Sequence, residues 1–298
     1  MVPFRVLLPL LLAVSSVHAA PRWPAFILEV PPNVPDIFIA DAGNAVIYRY
    51  EQKSGVVRLG GKSYMSIGQY GVGKKASGDR KTPLGIYFVI DHLDTSRLHE
   101  KYGVMAFPLD YPNVRDRQFG RAGNGIWVHG VQQGAGPRPP FDTDGCLALP
   151  NDDLDRLRRN FVPLITPVII AREIKWQSEE TRERIRDELR TLVERWASSY
   201  AAKDQEEHLS LYADEFSYRG LSRDEWATFR AQSLPGSPRS ETVVGDLLLL
   251  ADPEEVELYL SRFRMLTVAG QDRHATTKRL YWQRGSDGVL RIVAEDNG

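Results

Sequence analysis

A change of pattern at Glu173 constrains the fold of this 298-residue chain more than any other feature. Before it, short apolar runs alternate with turns rich in Gly and Pro. After it come charged helical segments and then long strand-like runs. In the first half, Ile37-Phe38-Ile39 and Ala45-Val46-Ile47-Tyr48 flank Asp41-Ala42-Gly43-Asn44, a hairpin signal. Residues 56–59, 63–67, 85–90, 125–131 and 166–171 read as further strands, and residues 96–102 as a short helix. A second helix is expected from Asn151, which can cap, with Asp152 and Asp153 in its first turn and Pro163 beyond its end. Residues 36–172 are therefore expected to form a mostly β domain. The Pro-rich residues 21–35 read as an extended lead-in.

Residues 173–298 follow a different order. Ile185, Leu189, Leu192, Val193, Trp196 and Tyr200 recur at helical spacing, under a charged face over 179–190. A short helix is expected around 208–212. Ser222-Arg223-Asp224-Glu225 is a capping box for a third, and Leu234-Pro235-Gly236-Ser237-Pro238 stops it. Strands are expected over 243–250, 256–268, 274–283 and 289–294. Helices followed by a curved antiparallel sheet is α+β order, and the two halves are expected to be separate folding units divided near 172–178.

The chemistry concentrates between Ile126 and Asn151, IWVHGVQQGAGPRPPFDTDGCLALPN, which holds the chain's single cysteine, Cys146. A cysteine nucleophile needs a base and donors for the oxyanion formed at an attacked carbonyl. His129, at the end of an apolar run, is the candidate base. Gly145 and the peptide groups from Asp144 to Cys146 are the candidate oxyanion donors. The helix expected at Asn151 is near enough to lower the thiol pKa. Thr143 either binds substrate or braces the turn. Asp144 orients His129, meets a cationic amine of the substrate, or faces water. If it is paired within the protein, Arg115, Arg117, Arg121 and Arg138 in flanking loops are the candidates. His92, His99, His208 and His274 lack such a context. Asp142, Asp144, His129 and Cys146 include metal-ligand types, but zinc sites draw on more His or Cys at short spacing, so neither metal nor cofactor is expected.

These residues resemble the L,D-transpeptidase catalytic domain of bacterial cell-wall enzymes. The match lies on His129 and Gly130, then Thr143, Gly145, Cys146 and Leu147, and on the upstream SIGQYGVGKKASGDRKTPLGIYFV with its Thr-Pro-x-Gly turn. Many members have His where this chain has Asp144, and Arg or Asn where it has Ala148. The resemblance implies a cysteine acyltransferase acting on peptidoglycan stem peptides, with Cys146 as nucleophile and His129 as base. It places Gly130, Thr143 and Asp144 near the substrate. The acyl acceptor would be an amine of another stem peptide, an amine of an outer-membrane lipoprotein, or water, which would make the protein a carboxypeptidase or amidase. An inactive wall-peptide binding module is the alternative of a different class. The second half resembles the nuclear-transport-factor-like cone, through its element order and through Trp196, Tyr200, Lys203 and Asp204. It is expected to supply a substrate wall, a homodimer surface or a partner site.

Arg5, the apolar residues 6–14 and Val17-His18-Ala19 read as a secretory signal spanning residues 1–20, cleaved after Ala19 or Ala20. The expected destination is the periplasm. One cysteine excludes an internal disulfide framework. A net charge of −1 gives no sign of nucleic-acid binding.

Overall fold

The computed structural model describes residues 22–123, 125–136, 138–233, 241–269 and 272–298. The leader expected over residues 1–20 and the helix stop at 234–238 lie outside them.

Two short strands open the described chain, β1 (Arg22–Pro24) and β2 (Ile27–Glu29). The predicted hairpin follows as β3 (Asp36–Asp41) and β4 (Val46–Lys53). Asp41 closes its turn by accepting from the Asn44 backbone and side-chain amides, both at 3.0 Å. β5 (Val56–Tyr64) is one strand where two were expected, running through residue 63 against β4. β6 (Ile67–Gly68), β7 (Gly85–Phe88), β8 (Ala106–Pro108), β9 (Trp127–His129), β10 (Phe141–Thr143), β11 (Leu147–Ala148) and β12 (Pro167–Ala171) complete the first half. Its helices are short, α1 (Val114–Gln118) and α2 (Asn151–Leu157), and the helix expected over 96–102 is instead two 3-10 turns, Thr95–Arg97 and Glu100–Tyr102.

The main sheet has the order β5-β4-β3-β12-β7. β3 and β12 read as unbroken apolar runs because both of their faces are covered. Phe38, Ala40, Val168 and Ile170 enter the core of the first half. Ile37, Ile39, Ile169 and Ala171 enter a second core with Leu248, Leu250, Leu258, Leu260, Tyr281 and Val293. Period-2 alternation thus sends neighbouring residues into different cores.

β13 (Trp176–Ser178) leads into α3 (Glu179–Ala202), capped by the Ser178 side chain, and then α4 (Gln205–Ser210). The predicted stripe of α3 is buried at Ile185, Leu189, Leu192, Val193 and Trp196. β14 (Ser217–Tyr218) and β15 (Leu221–Ser222) precede α5 (Arg223–Ser233), where Ser222 and Glu225 make the expected reciprocal cap. The long strands are β16 (Glu241–Ala251), β17 (Leu258–Ala269), β18 (Asp272–Arg284) and β19 (Leu290–Asp296), an antiparallel sheet against which α3 packs.

Part of the segment expected to be a plain lead-in belongs to this second sheet. β2 pairs antiparallel with β16 and closes the order β19-β18-β17-β16-β2, while β1 pairs with β13. Phe26, Ile27 and Leu28 are buried there.

Candidate active site

Strand register explains how residues distant in sequence converge. β9 is the centre of the small sheet β11-β9-β8, and it runs parallel to β11 with Leu147 opposite Val128 and Ala148 opposite His129. Cys146, one residue before β11, is thereby level with Trp127. Trp127 and His129 point to one side of their strand, so the thiol and the imidazole meet on the same side.

The turn that delivers Cys146 is fixed from several directions. The Thr143 hydroxyl accepts from the Gly145 amide at 3.0 Å and donates to the Cys146 carbonyl at 2.8 Å. Thr143 is buried and braces the turn, and it also lines the cavity described below. The Gly145 N–H, expected as an oxyanion donor, donates to Thr143 in this structure. The Asp144 and Cys146 amides donate to no protein group among the described residues. Gly145 adopts φ +125°, and a Cβ there would lie 2.6 Å from the Lys81 carbonyl oxygen. Thr82, from the upstream Thr-Pro-x-Gly turn, accepts from the Gly68 amide and donates to the Gly145 carbonyl, both at 2.9 Å. Sequence reasoning had assigned that motif only a backbone turn.

His129 is 3% exposed. Its Nδ1 lies 2.6 Å from the Gly130 carbonyl oxygen. A carbonyl can only accept, so Nδ1 carries the proton and Nε2 keeps its lone pair for a base. Gly130, expected near substrate, is buried, and its carbonyl orients the imidazole. A Cβ on it would fall 2.2 Å from Asn151 Oδ1. Asn151 does not cap α2, whose N-cap is Pro150. Its side chain accepts from the Val131 amide at 3.0 Å and donates to the Val131 carbonyl at 2.8 Å, anchoring the chain just past His129. The Tyr102 ring meets the imidazole edge-on at 5.2 Å.

Burial dominates the electrostatics. It pushes His129 down to about 4, opposed by the Gly130 carbonyl and assisted by Arg138 and Lys101. It pushes the Cys146 thiol up to about 11, against the lowering effects of the Trp127 amide, Lys101 and Lys74. The expected lowering of the thiol by the helix at Asn151 is therefore overridden. The S–H donates to the Gly125 carbonyl at 3.2 Å. Both shifts favour a neutral thiol beside a neutral imidazole.

Both groups open on a cavity of about 220 Å³, whose wall includes Lys74, Lys101, Tyr102, Arg138 and Asp144. Asp144 is exposed and pairs with Lys101 at 3.3 Å and Arg80 at 3.9 Å. None of the four arginines expected as partners reaches it: Arg115 holds Glu255, Arg121 holds Asp116, Arg138 holds Asp142, and Arg117 donates to the Pro112 carbonyl. Ala148 is buried in β11, away from this wall. Among the described residues no three His, Cys, Asp or Glu side chains gather as a metal site.

Residues 35–170 match the family model of the L,D-transpeptidase catalytic domain, YkuD. The structure of Bdellovibrio bacteriovorus Bd1075 superposes with a TM-score of 0.77 at 20% identity, covering 93% of this chain and 98% of that one. The helical cell shape determining protein Pgp2 from Campylobacter jejuni does so at 0.77 and 23%, covering 91% and 95%. Both therefore share the architecture of the two halves together. A search of curated proteins returns no match.

Proposed function

Residues 35–170 belong to the L,D-transpeptidase catalytic domain family, and from that premise we propose that this cell-wall enzyme transfers an acyl group through Cys146, cutting the diaminopimelate–D-alanine bond of peptidoglycan stem peptides. The observation that carries the proposal is the delivery of Cys146 and His129, by parallel register, to one cavity whose imidazole tautomer leaves Nε2 free.

The neutral resting pair dictates the order of events. Cys146 attacks the carbonyl as its proton moves to His129 Nε2, so charge appears only when the Asp144 and Cys146 amides can receive the oxyanion. His129 then returns the proton to the departing amine. The thioester passes to an amine acceptor, forming a cross-link, or to water, leaving a tripeptide. The Campylobacter neighbour is a helical cell shape determining protein, which supports a role for this chain in remodelling the wall.

The test is incubation of the purified protein with disaccharide-tetrapeptides and mass analysis of the products. Dimers identify an amine acceptor and tripeptides identify water. Both are expected to vanish in Cys146→Ala and His129→Ala proteins that keep the wild-type circular dichroism spectrum. Near wild-type turnover by Cys146→Ala would exclude covalent catalysis.

A further inference from the structure

We propose that Lys101 is the specificity-determining residue that reads the free α-carboxylate of the amino acid expelled by the reaction. The inference rests on the acyl-transfer reading above. In that reaction the imidazole that accepts the thiol proton must hand it to the departing amine, so the leaving residue lies on the His129 side of the cavity. Lys101 is on that side. It directly precedes Tyr102, on the same 3-10 turn, and Tyr102 packs edge-on against the imidazole.

The other cations of the cavity wall are committed. Lys74 is 4% exposed and donates to Asp79 at 2.7 Å and to the Ala76 carbonyl at 3.1 Å. Arg138 donates to the Asp142 carbonyl at 2.8 Å and lies 3.6 Å from the Asp142 carboxylate. Lys101 instead lies over the Tyr102 ring, 5.2 Å from its centroid, and among the described residues its one carboxylate partner is Asp144. That pair is solvent-accessible, with side-chain exposures of 41% and 64%. Such pairs contribute little to stability, so the exchange of one carboxylate for another is easy. Arg80 stays beside Asp144 after the exchange. Asp144 thus occupies the place that a substrate carboxylate takes, and Lys101 moves from an internal carboxylate to an external one.

The experiment compares a disaccharide-tetrapeptide with its C-terminal carboxamide. Wild type is expected to favour the acid in kcat/KM by about 10- to 100-fold, the range for a hydrogen bond to a charged group. Lys101→Met keeps a side chain of similar length without the charge and should bring that ratio close to one, while Lys101→Arg should restore part of it. If Lys101→Met slows both substrates equally, or wild type does not distinguish them, the proposal is overturned. Should wild type turn over neither peptide, the acyl-transfer reading fails, and NMR titration of Cys146→Ala decides the matter for Lys101. Tighter binding of the acid, lost in Cys146→Ala/Lys101→Met, upholds the carboxylate site; equal binding of acid and amide overturns it.

Discussion

With the thiol near 11 and the imidazole near 4, no group in the reacting pair titrates close to neutrality. We expect kcat/KM to be flat from about pH 5 to pH 9, with a fall only as His129 gains a proton near 4. Iodoacetamide should label Cys146 slowly at pH 7, and about tenfold faster per pH unit as the thiolate fraction grows. A labelling inflection near pH 7 would show a thiolate–imidazolium pair instead. Stability carries the same signature. His129 and His208 are both depressed by burial, to about 4 and about 3, from 6.5. Below pH 6.5 the unfolded chain takes up protons that the folded chain refuses, so stability is lost as pH falls through that window. Asp144 gives a second prediction. From sequence alone Asp144→Asn should raise KM by losing a substrate amine. Its position against Lys101 reverses the sign. Removing an internal competitor for Lys101 should lower KM for the free-acid peptide, and a raised KM would favour the amine reading.

At the scale of elements, the Cys146 turn hangs on side chains from strands far away in sequence. Thr82→Val keeps the shape but leaves the Gly68 amide and Gly145 carbonyl without their partner. Loss of about 1–3 kcal/mol is expected, visible as a lower melting temperature, together with a fall in kcat from the displaced thiol. Asn151→Ala should act in the same way through Val131. If either variant keeps wild-type kcat, the brace does not set the reacting geometry. Asn151 also shows what sequence can and cannot reveal. Its capping propensity before two acids was legible, but both ends of its amide are claimed by Val131, a tertiary contact that overrides local preference. The long strands of the second half and the stripe on α3 were legible because each repeats its period many times. Cys146 and His129 were legible as types in a motif. Lys101 was not, since only the fold brings its 3-10 turn beside the histidine. β1 and β2 were hidden too: three-residue strands among prolines carry almost no pattern, and their partners lie at residues 176–178 and 249–250.

The halves had been expected to fold separately, yet the catalytic sheet and the C-terminal sheet bury one shared core. Arg279 of β18 joins Asp110 and Asp296, Arg115 holds Glu255 at 2.7 Å, and Gln118 donates to the Val293 carbonyl at 2.8 Å across the same boundary. A mature chain starting at Ala20 or Pro21 keeps β1 and β2 intact. N-terminal sequencing of exported protein is expected to find that start, and Met1 on periplasmic protein would count against the leader.

The dependence on the N-terminal strands can be measured. Phe26, Ile27 and Leu28 are 2%, 2% and 0% exposed, and each buried side chain of this size contributes about 1.5–3 kcal/mol. Together they rival much of the roughly 5–15 kcal/mol that holds a domain folded. β2 also covers part of the β16 edge, and Arg182 lies over the Trp23 ring at 4.4 Å. Deleting residues 22–31 should therefore unfold the C-terminal sheet, whose other strands all lie beyond residue 240. We expect residues 178–298 expressed alone to give a poorly dispersed heteronuclear spectrum, and residues 33–172 alone to expose the Ile37, Ile39 and Ile169 face and aggregate. The chain from residue 22 to 298 should be well dispersed and melt in a single transition. Two well-dispersed fragments, or a deletion that leaves the melting temperature unchanged, would show that the shared core is a docking surface between units that fold alone.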